Sequence, residues 1–264
     1  GVSAGFIILK ENVLAFLDEG SSVFADSLTI NADQYTKLTE IIANGAVATA
    51  GSTAVGVSPV LLYVNNTTGA YLETNKDNKD KSSDYTAIIE LDKDLKVTAN
   101  DETKFIVVSG AVAVSTVDKS VGGDVQIDIV KKHVDAIIGS GTSEGSHLDA
   151  KVKGNTDVRA DAKETAYSIA VGLAGSTQPS ATGSVLVLYN SNEITSRIGD
   201  YVYINLLKEG GDINVYAHDN IYQLSVAGEL GFSNRAWAAG LANVDTILNG
   251  TVKAEVGKLA YLKG

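Results

Sequence analysis

The sequence predicts an all-β fold, a parallel β-solenoid wound from repeats of roughly 60 residues. Three observations predict it. Turn and strand formers dominate, with 26 glycines against 2 prolines and 44% hydrophobic residues rich in Val, Ala and Ile, which favours strands over packed helices. Three residue patterns recur in a fixed order. The spacings between their copies also shrink together along the chain, which chance similarity does not produce.

The first pattern is an alternating strand, seen as Leu28 to Ala32, Leu95 to Ala99, Val158 to Ala162 and Ile213 to Ala217. Asp94, Asp157 and Asp212 precede the last three copies. The second is a small-residue block beginning at Gly45, Gly110, Gly172 and Gly228. The third is an apolar strand ending at Leu72, Ile138, Ile198 and Val252, with an earlier copy at Leu17. Successive spacings are 67, 63 and 55 for the first pattern, 65, 62 and 56 for the second, and 66, 60 and 54 for the third. The repeat units are accordingly 1–27 (partial), 28–94, 95–157, 158–212 and 213–264, forming one solenoid segment of a larger protein.

Within a unit, the distances between the patterns hold nearly constant. The stretch from each closing strand to the next first-pattern strand varies instead: it is shortest from Leu17 to Leu28, longest from Leu72 to Leu95, and intermediate from Ile138 to Val158 and from Ile198 to Ile213. Loops are expected there. A unit of this length suggests about three coils of roughly 20 residues, advancing about 14 Å per unit and about 60 Å in all, a rod. Alternation such as Leu28, Ile30 and Ala32 sends every second side chain inward, and the Gly, Ala, Ser and Thr blocks are expected to let the coils turn closely. Asp33 to Asn44 and Thr165 to Ala174 can also be drawn as short amphipathic helices. The β-rich Thr103 to Val108 at the equivalent place favours strands.

Composition also excludes function classes. A formal charge of −11 and a pI near 4.7 repel phosphate backbones, so nucleic acid is not an expected partner. With no cysteine there are no disulfides, thiolate metal sites or cysteine nucleophiles. The chain has no methionine and opens on the apolar Val2 to Leu9 without a basic leader, and so reads as an internal segment. The charge-free run Ala46 to Val64 is long enough to span a bilayer, but its Gly, Ala, Ser and Thr content and Pro59 favour a solenoid strand pair. No membrane insertion is expected.

The Asp-led alternating strand, the Gly-Ala-Val-Ala blocks at Gly45 and Gly110, and the Val-rich strand running into Asn65 to Leu72 together resemble the leukotoxin-type filamentous adhesins and haemagglutinin-like exoproteins. The resemblance spans essentially the whole chain. The blocks at Gly172 and Gly228 depart from it. It implies a right-handed parallel β-helix, exported by two-partner secretion and displayed outside a bacterial cell. It carries over no catalytic residue.

The variable stretches Asp18 to Ser27, Glu73 to Asp94, Gly139 to Asp157 and Gly199 to Asp212 are expected to stack on one side as a binding face. The candidate contacts are Asn75, Lys76, Asp77, Lys79, Asp80, Lys81, Tyr85, Glu144 and His147. Their alternating charges also fit a plain solvated protrusion. Gly141 to Gly145 matches a Gly-x-Ser-x-Gly elbow, but lacks the α/β setting such an elbow requires. His133, His147 and His218 show no metal-ligand spacing. The pairs Asp92/Asp94 and Asp77/Asp80 fit neither an EF-hand nor a calcium β-roll, so neither metal nor cofactor is expected. A polysaccharide lyase or glycosidase on the same solenoid is an alternative that would need clustered acids and aromatic platforms. The expected function is a non-enzymatic stalk displaying loops to a protein or glycan receptor on host or bacterial cells. The alternative is a filament or matrix protein assembling end to end.

Overall fold

In the computed structural model the described residues are 1–18, 20–49, 51–72, 86–139, 147–208 and 210–264. They contain strands and no helix. Both stretches that admit a helical reading lie inside long strands.

Three kinds of strand alternate along the chain. Long strands of 21 residues are β3 (Leu28–Ala48), β6 (Leu95–Ser115), β9 (Thr156–Ser176) and β12 (Ile213–Ser233). Strands of 19 residues are β4 (Ala54–Leu72), β7 (Ser120–Ile138), β10 (Ser180–Ile198) and β13 (Ala238–Val256), joined at the start by β1 (Gly5–Leu17). Short strands are β2 (Val23–Ala25), β5 (Thr86–Leu91), β8 (His147–Val152), β11 (Val202–Leu206) and β14 (Tyr261–Lys263). Each kind forms its own parallel sheet: β1-β4-β7-β10-β13, β3-β6-β9-β12 and β2-β5-β8-β11-β14. We call these the A, C and B sheets.

The register corrects the expected coil count. Leu28 pairs with Leu95, Leu95 with Thr156 and Thr156 with Ile213, so hydrogen-bonded neighbours lie one whole repeat apart. A repeat is therefore a single turn of three strands and not a stack of three short coils. It advances by one strand spacing, about 4.8 Å, while each long strand reaches about 70 Å across the stack. The segment is a wide flattened slab and not the expected rod.

The stretches expected to be loops each contain a strand of the B sheet. The small-residue blocks expected at coil turns sit within long strands instead. Small inward residues let the A and C sheets approach one another there. A Cβ on Gly122 would lie 2.3 Å from the carbonyl oxygen of Leu173, and one on Gly56 2.7 Å from that of Val112.

The slab tapers. At its wide end all three sheets enclose a core of Leu72, Ile89, Leu95, Val97, Ile138, Ile198 and Ile204 with their neighbours. Midway, Val60, Leu62, Phe105, Val107, Leu186 and Leu188 pack between the A and C sheets alone. At the narrow tip the apolar cluster shrinks to Ala48, Ala54 and Ala113, with small residues such as Ser115, Ser120 and Ser180 buried beside it. Side-chain volume thus follows sheet separation.

Candidate binding face

The B sheet is the short third side, and its alternation is simple. Ala87, Ile89 and Leu91 point inward, as do Leu148, Ala150 and Val152 on the next strand, which leaves Glu90, His147, Asp149 and Lys151 outside. Stacking these strands in register sets Glu90 beside Lys151 and Asp149 beside Tyr203. Ion pairs follow, with Lys151 Nζ 2.7 Å from Glu90, Lys153 Nζ 2.5 Å from Asp92 and Lys93 Nζ 2.9 Å from Asp26. The hydrogen bond and charge of Lys93 hold the Asp26 carboxyl below its ordinary range. These exposed pairs are screened and add little to stability.

Of the sequence-predicted contacts, His147 lies at the first position of β8. Its ring meets Tyr203 edge-on at 5.6 Å, and Tyr203 lies 6.4 Å from Tyr261, so an aromatic column runs along the stack. Asp149 sits 3.8 Å from His147 Nε2. Asn75, Lys76, Asp77, Lys79, Asp80, Lys81, Tyr85, Glu144 and the Gly141 to Gly145 elbow match all lie outside the described residues.

Sequence spacing leaves His133 and His218 isolated, but register gives both carboxylate partners. His133 Nε2 is 2.6 Å from Asp135 and its Nδ1 is 3.3 Å from Glu193, one strand over. The hydrogen bond to Asp135 raises the imidazole pKa, and burial only partly opposes it. Tyr71 donates to the same Asp135 at 3.0 Å. On the outer C sheet, Asp33, Glu102, Arg159, Asp161, Lys163 and His218 line a shallow groove of about 480 Å³. Asn100 donates to Asp33 at 2.6 Å, Arg159 pairs with Asp161 and stacks 5.0 Å over Tyr216, and Lys163 reaches Glu102 at 3.0 Å. Each of these three carboxylates is engaged by an amide or a cation. The signal for these clusters is the period-2 alternation, but only with the correct strand pairing.

A second polar system is internal. Asp101 and Lys132 pair at 2.9 Å with both side chains fully buried, and Lys132 Nζ also donates to the Lys163 carbonyl at 2.7 Å. Thr103 donates to Asp101 at 2.9 Å, Asn66 to Thr103 at 3.1 Å and Thr68 to Gln34 at 2.8 Å. The ladder runs across the coils between the wide and middle cores, from Glu11, which accepts from Thr36 at 2.6 Å, to Asp219, which accepts from Asn192 at 3.0 Å. Nearer the tip, burial pushes the carboxyls of Asp124 and Asp128 up to about 6.

Among the described residues no group of three or more His, Asp or Glu is arranged to hold a metal ion. Corner positions are stabilised by side chains of Asp and Asn: Asp94 Oδ1 accepts from the Asn155 backbone N–H at 2.9 Å, and Asn155 Oδ1 from that of Asp212 at 3.1 Å. Asn155, not Asp157, therefore occupies the corner of its coil. Comparison with protein families, curated proteins and solved structures yields no match.

Proposed function

We propose that this chain is a non-enzymatic stalk segment of a large bacterial surface or secreted adhesin, displaying its B-sheet side to a receptor on host or bacterial cells. The right-handed winding implied by the family resemblance belongs to the same reading. One observation carries it. From β3 onward every C-sheet strand has 21 residues and every A-sheet strand has 19 residues, while most of the length variation falls on the B-sheet side and the tip turns differ only slightly. A rigid scaffold with variation gathered on one side is the common arrangement of binding proteins. Replacing residues 73–85 with a short Gly-Ser turn, while keeping β5, is expected to preserve the circular dichroism spectrum and to reduce attachment to host cells several-fold. Undiminished attachment with an intact fold rules this stretch out as the contact.

The open edges favour a second reading as a self-assembling filament. β13 leaves Leu241 71% and Leu248 59% exposed and, among the described residues, has no neighbour beyond it in the A sheet. Unpaired parallel edges accept further strands. Stacks lengthening with protein concentration in negative-stain micrographs are expected on this reading, and persistent single particles at high concentration count against it.

A further inference from the structure

The outward face of the long strands changes from charged to apolar partway along. At the wide end the interior is apolar, and the outer C sheet carries Lys96, Glu102, Lys104, Arg159, Asp161 and Lys163. Beyond Lys104 the outward positions of β6 become Ile106, Val108, Gly110, Val112 and Val114. Their registered partners on β3, β9 and β12 are aliphatic, glycine or aromatic, apart from Thr39. The interior of this half is mixed: Val60, Leu62, Val107, Leu186 and Leu188 of the middle core pack beside the buried polar Ser109, Asp124, Gln126, Asp128 and Ser168.

The outer A sheet does the same at the same depth. Its outward positions from 121 to 129 on β7, and those registered with them on β4 and β10, are aliphatic, glycine, proline or tyrosine. Lys131 follows immediately, and only β13 departs, at Asn243 and Asp245. Asn66, which pairs with Lys132 across the A sheet, donates to Thr103, and Ser109 donates to Asp124. These contacts place the border before Ile106 level with the border after Ile129.

Two opposite faces that turn apolar at one common depth are matched to a surrounding medium. A single docked partner would cover only one of them. Each band runs about nine residues, about 30 Å at strand rise, which is the thickness of a bilayer's hydrocarbon core. Each face spans roughly 19 Å by roughly 30 Å, and the two together exceed the largest apolar patch of an ordinary soluble monomer. Aromatic residues mark the borders, as they do in membrane-spanning β proteins. Tyr63 lies in the border row of the A sheet with the ammonium groups of Lys131 and Lys10 at 5.9 and 6.0 Å, and Tyr167 meets Tyr222 at 5.9 Å on the C sheet. Past the far border, Asp118, Lys119 and Arg235 occupy the tip turns together with Trp237, the only tryptophan.

From this geometry we propose that the narrow half of the slab inserts into the hydrocarbon layer of a lipid bilayer, tip turns first. The inference departs from the sequence expectation of no membrane insertion and does not depend on the attachment reading. Backbone groups of the inner strands are already paired. The edges at β1, β3, β12 and β13 need strands of neighbouring copies to satisfy theirs in lipid, so insertion is coupled to side-by-side assembly.

The test mixes the full chain with phosphatidylcholine vesicles, whose zwitterionic surface does not repel a chain of charge −11. Flotation with the vesicles, a blue shift of Trp237 emission and its quenching by brominated acyl chains are expected. The variant V112D/V125D, altered at outward positions 39% and 41% exposed, is expected to keep its circular dichroism spectrum and to lose at least tenfold in partitioning. Three results overturn the proposal: protein left at the bottom of the gradient with unchanged emission, equal flotation of the variant, or a lipid-free dimer that V112D/V125D abolishes. The last would make a second copy the occupant of the band.

Discussion

Lys132→Met is expected to destabilise the fold by about 3–5 kcal/mol, read as a shift of the urea midpoint at pH 7. Lys132 is the cation of the internal ladder, and Asp101 keeps no comparable partner once it is gone. Glu164 suffers as well. Its carboxyl is already raised by burial, and Lys132 is the charge that offsets this. The double variant Lys132→Met/Asp101→Asn is expected to recover a large part of the loss, because the cost lies in an uncompensated buried charge and not in the absent bond. A single-variant loss below about 1 kcal/mol would mean that the pair is solvated in the folded state.

The ladder also has a role in register. A strand displaced by two residues keeps every side chain on its own face, so alternation alone does not oppose the slip. Such a slip of β7 would set Val130 or Val134 against Asp101 in place of Lys132. A buried charge facing an aliphatic side chain is the strongest available penalty against it.

The second large effect concerns pH. Asp124 and Asp128 are raised by burial from 3.8 to about 6, against smaller opposing hydrogen bonds from Ser109, Ser168 and Gln126. Between those two values the folded chain binds more protons than the unfolded chain, so stability falls as pH rises through this window. The stabilisation is fully present near pH 4 and gone above about pH 6, with up to about 3 kcal/mol expected per carboxyl. Glu40 and Glu164, also raised by burial, act in the same direction. So does His133, whose raised pKa gives stability that is lost at higher pH. Thermal melts are expected to give a higher Tm at pH 5 than at pH 8, with Asp128→Asn flattening the dependence by raising the Tm at pH 8. The neighbours of Asp128 in its column, Leu62 and Leu188, show that the position does not intrinsically require a carboxyl. An unchanged slope in Asp128→Asn would remove this residue from the account.

The sequence alone was sufficient for the all-β class and for the parity of the strands its alternation marks. Leu28, Ile30 and Ala32 point inward as their alternation requires, and the closing residues Leu17, Leu72, Ile138 and Ile198 lie in one registered column. Parity is also where its resolving power ends. Pattern matching aligns Val158 with Leu95, but Val158 pairs with Val97; Gly45 pairs with Val112 and not Gly110, and Val256, not Val252, closes the last column. These slips are even numbers of residues, which a period of two cannot detect, while the later small-residue blocks, which lack alternation, slip by an odd step: Gly110 pairs with Val171 and not Gly172, and Gly172 with Glu229 and not Gly228. The number of turns per repeat is hidden for a related reason. Mid-strand glycines such as Gly45 and Gly110 read locally as turns, and only pairing across a whole repeat reveals unbroken strands of 21 residues. Tertiary structure likewise decided which charges meet. Asp101 with Lys132, and His133 with Glu193, come from different strands, and strand pairing and sheet packing place them together. It also revealed the common border of the two apolar bands, because depth across a slab is fixed by how two sheets face each other, a relation that one-dimensional periodicity does not encode.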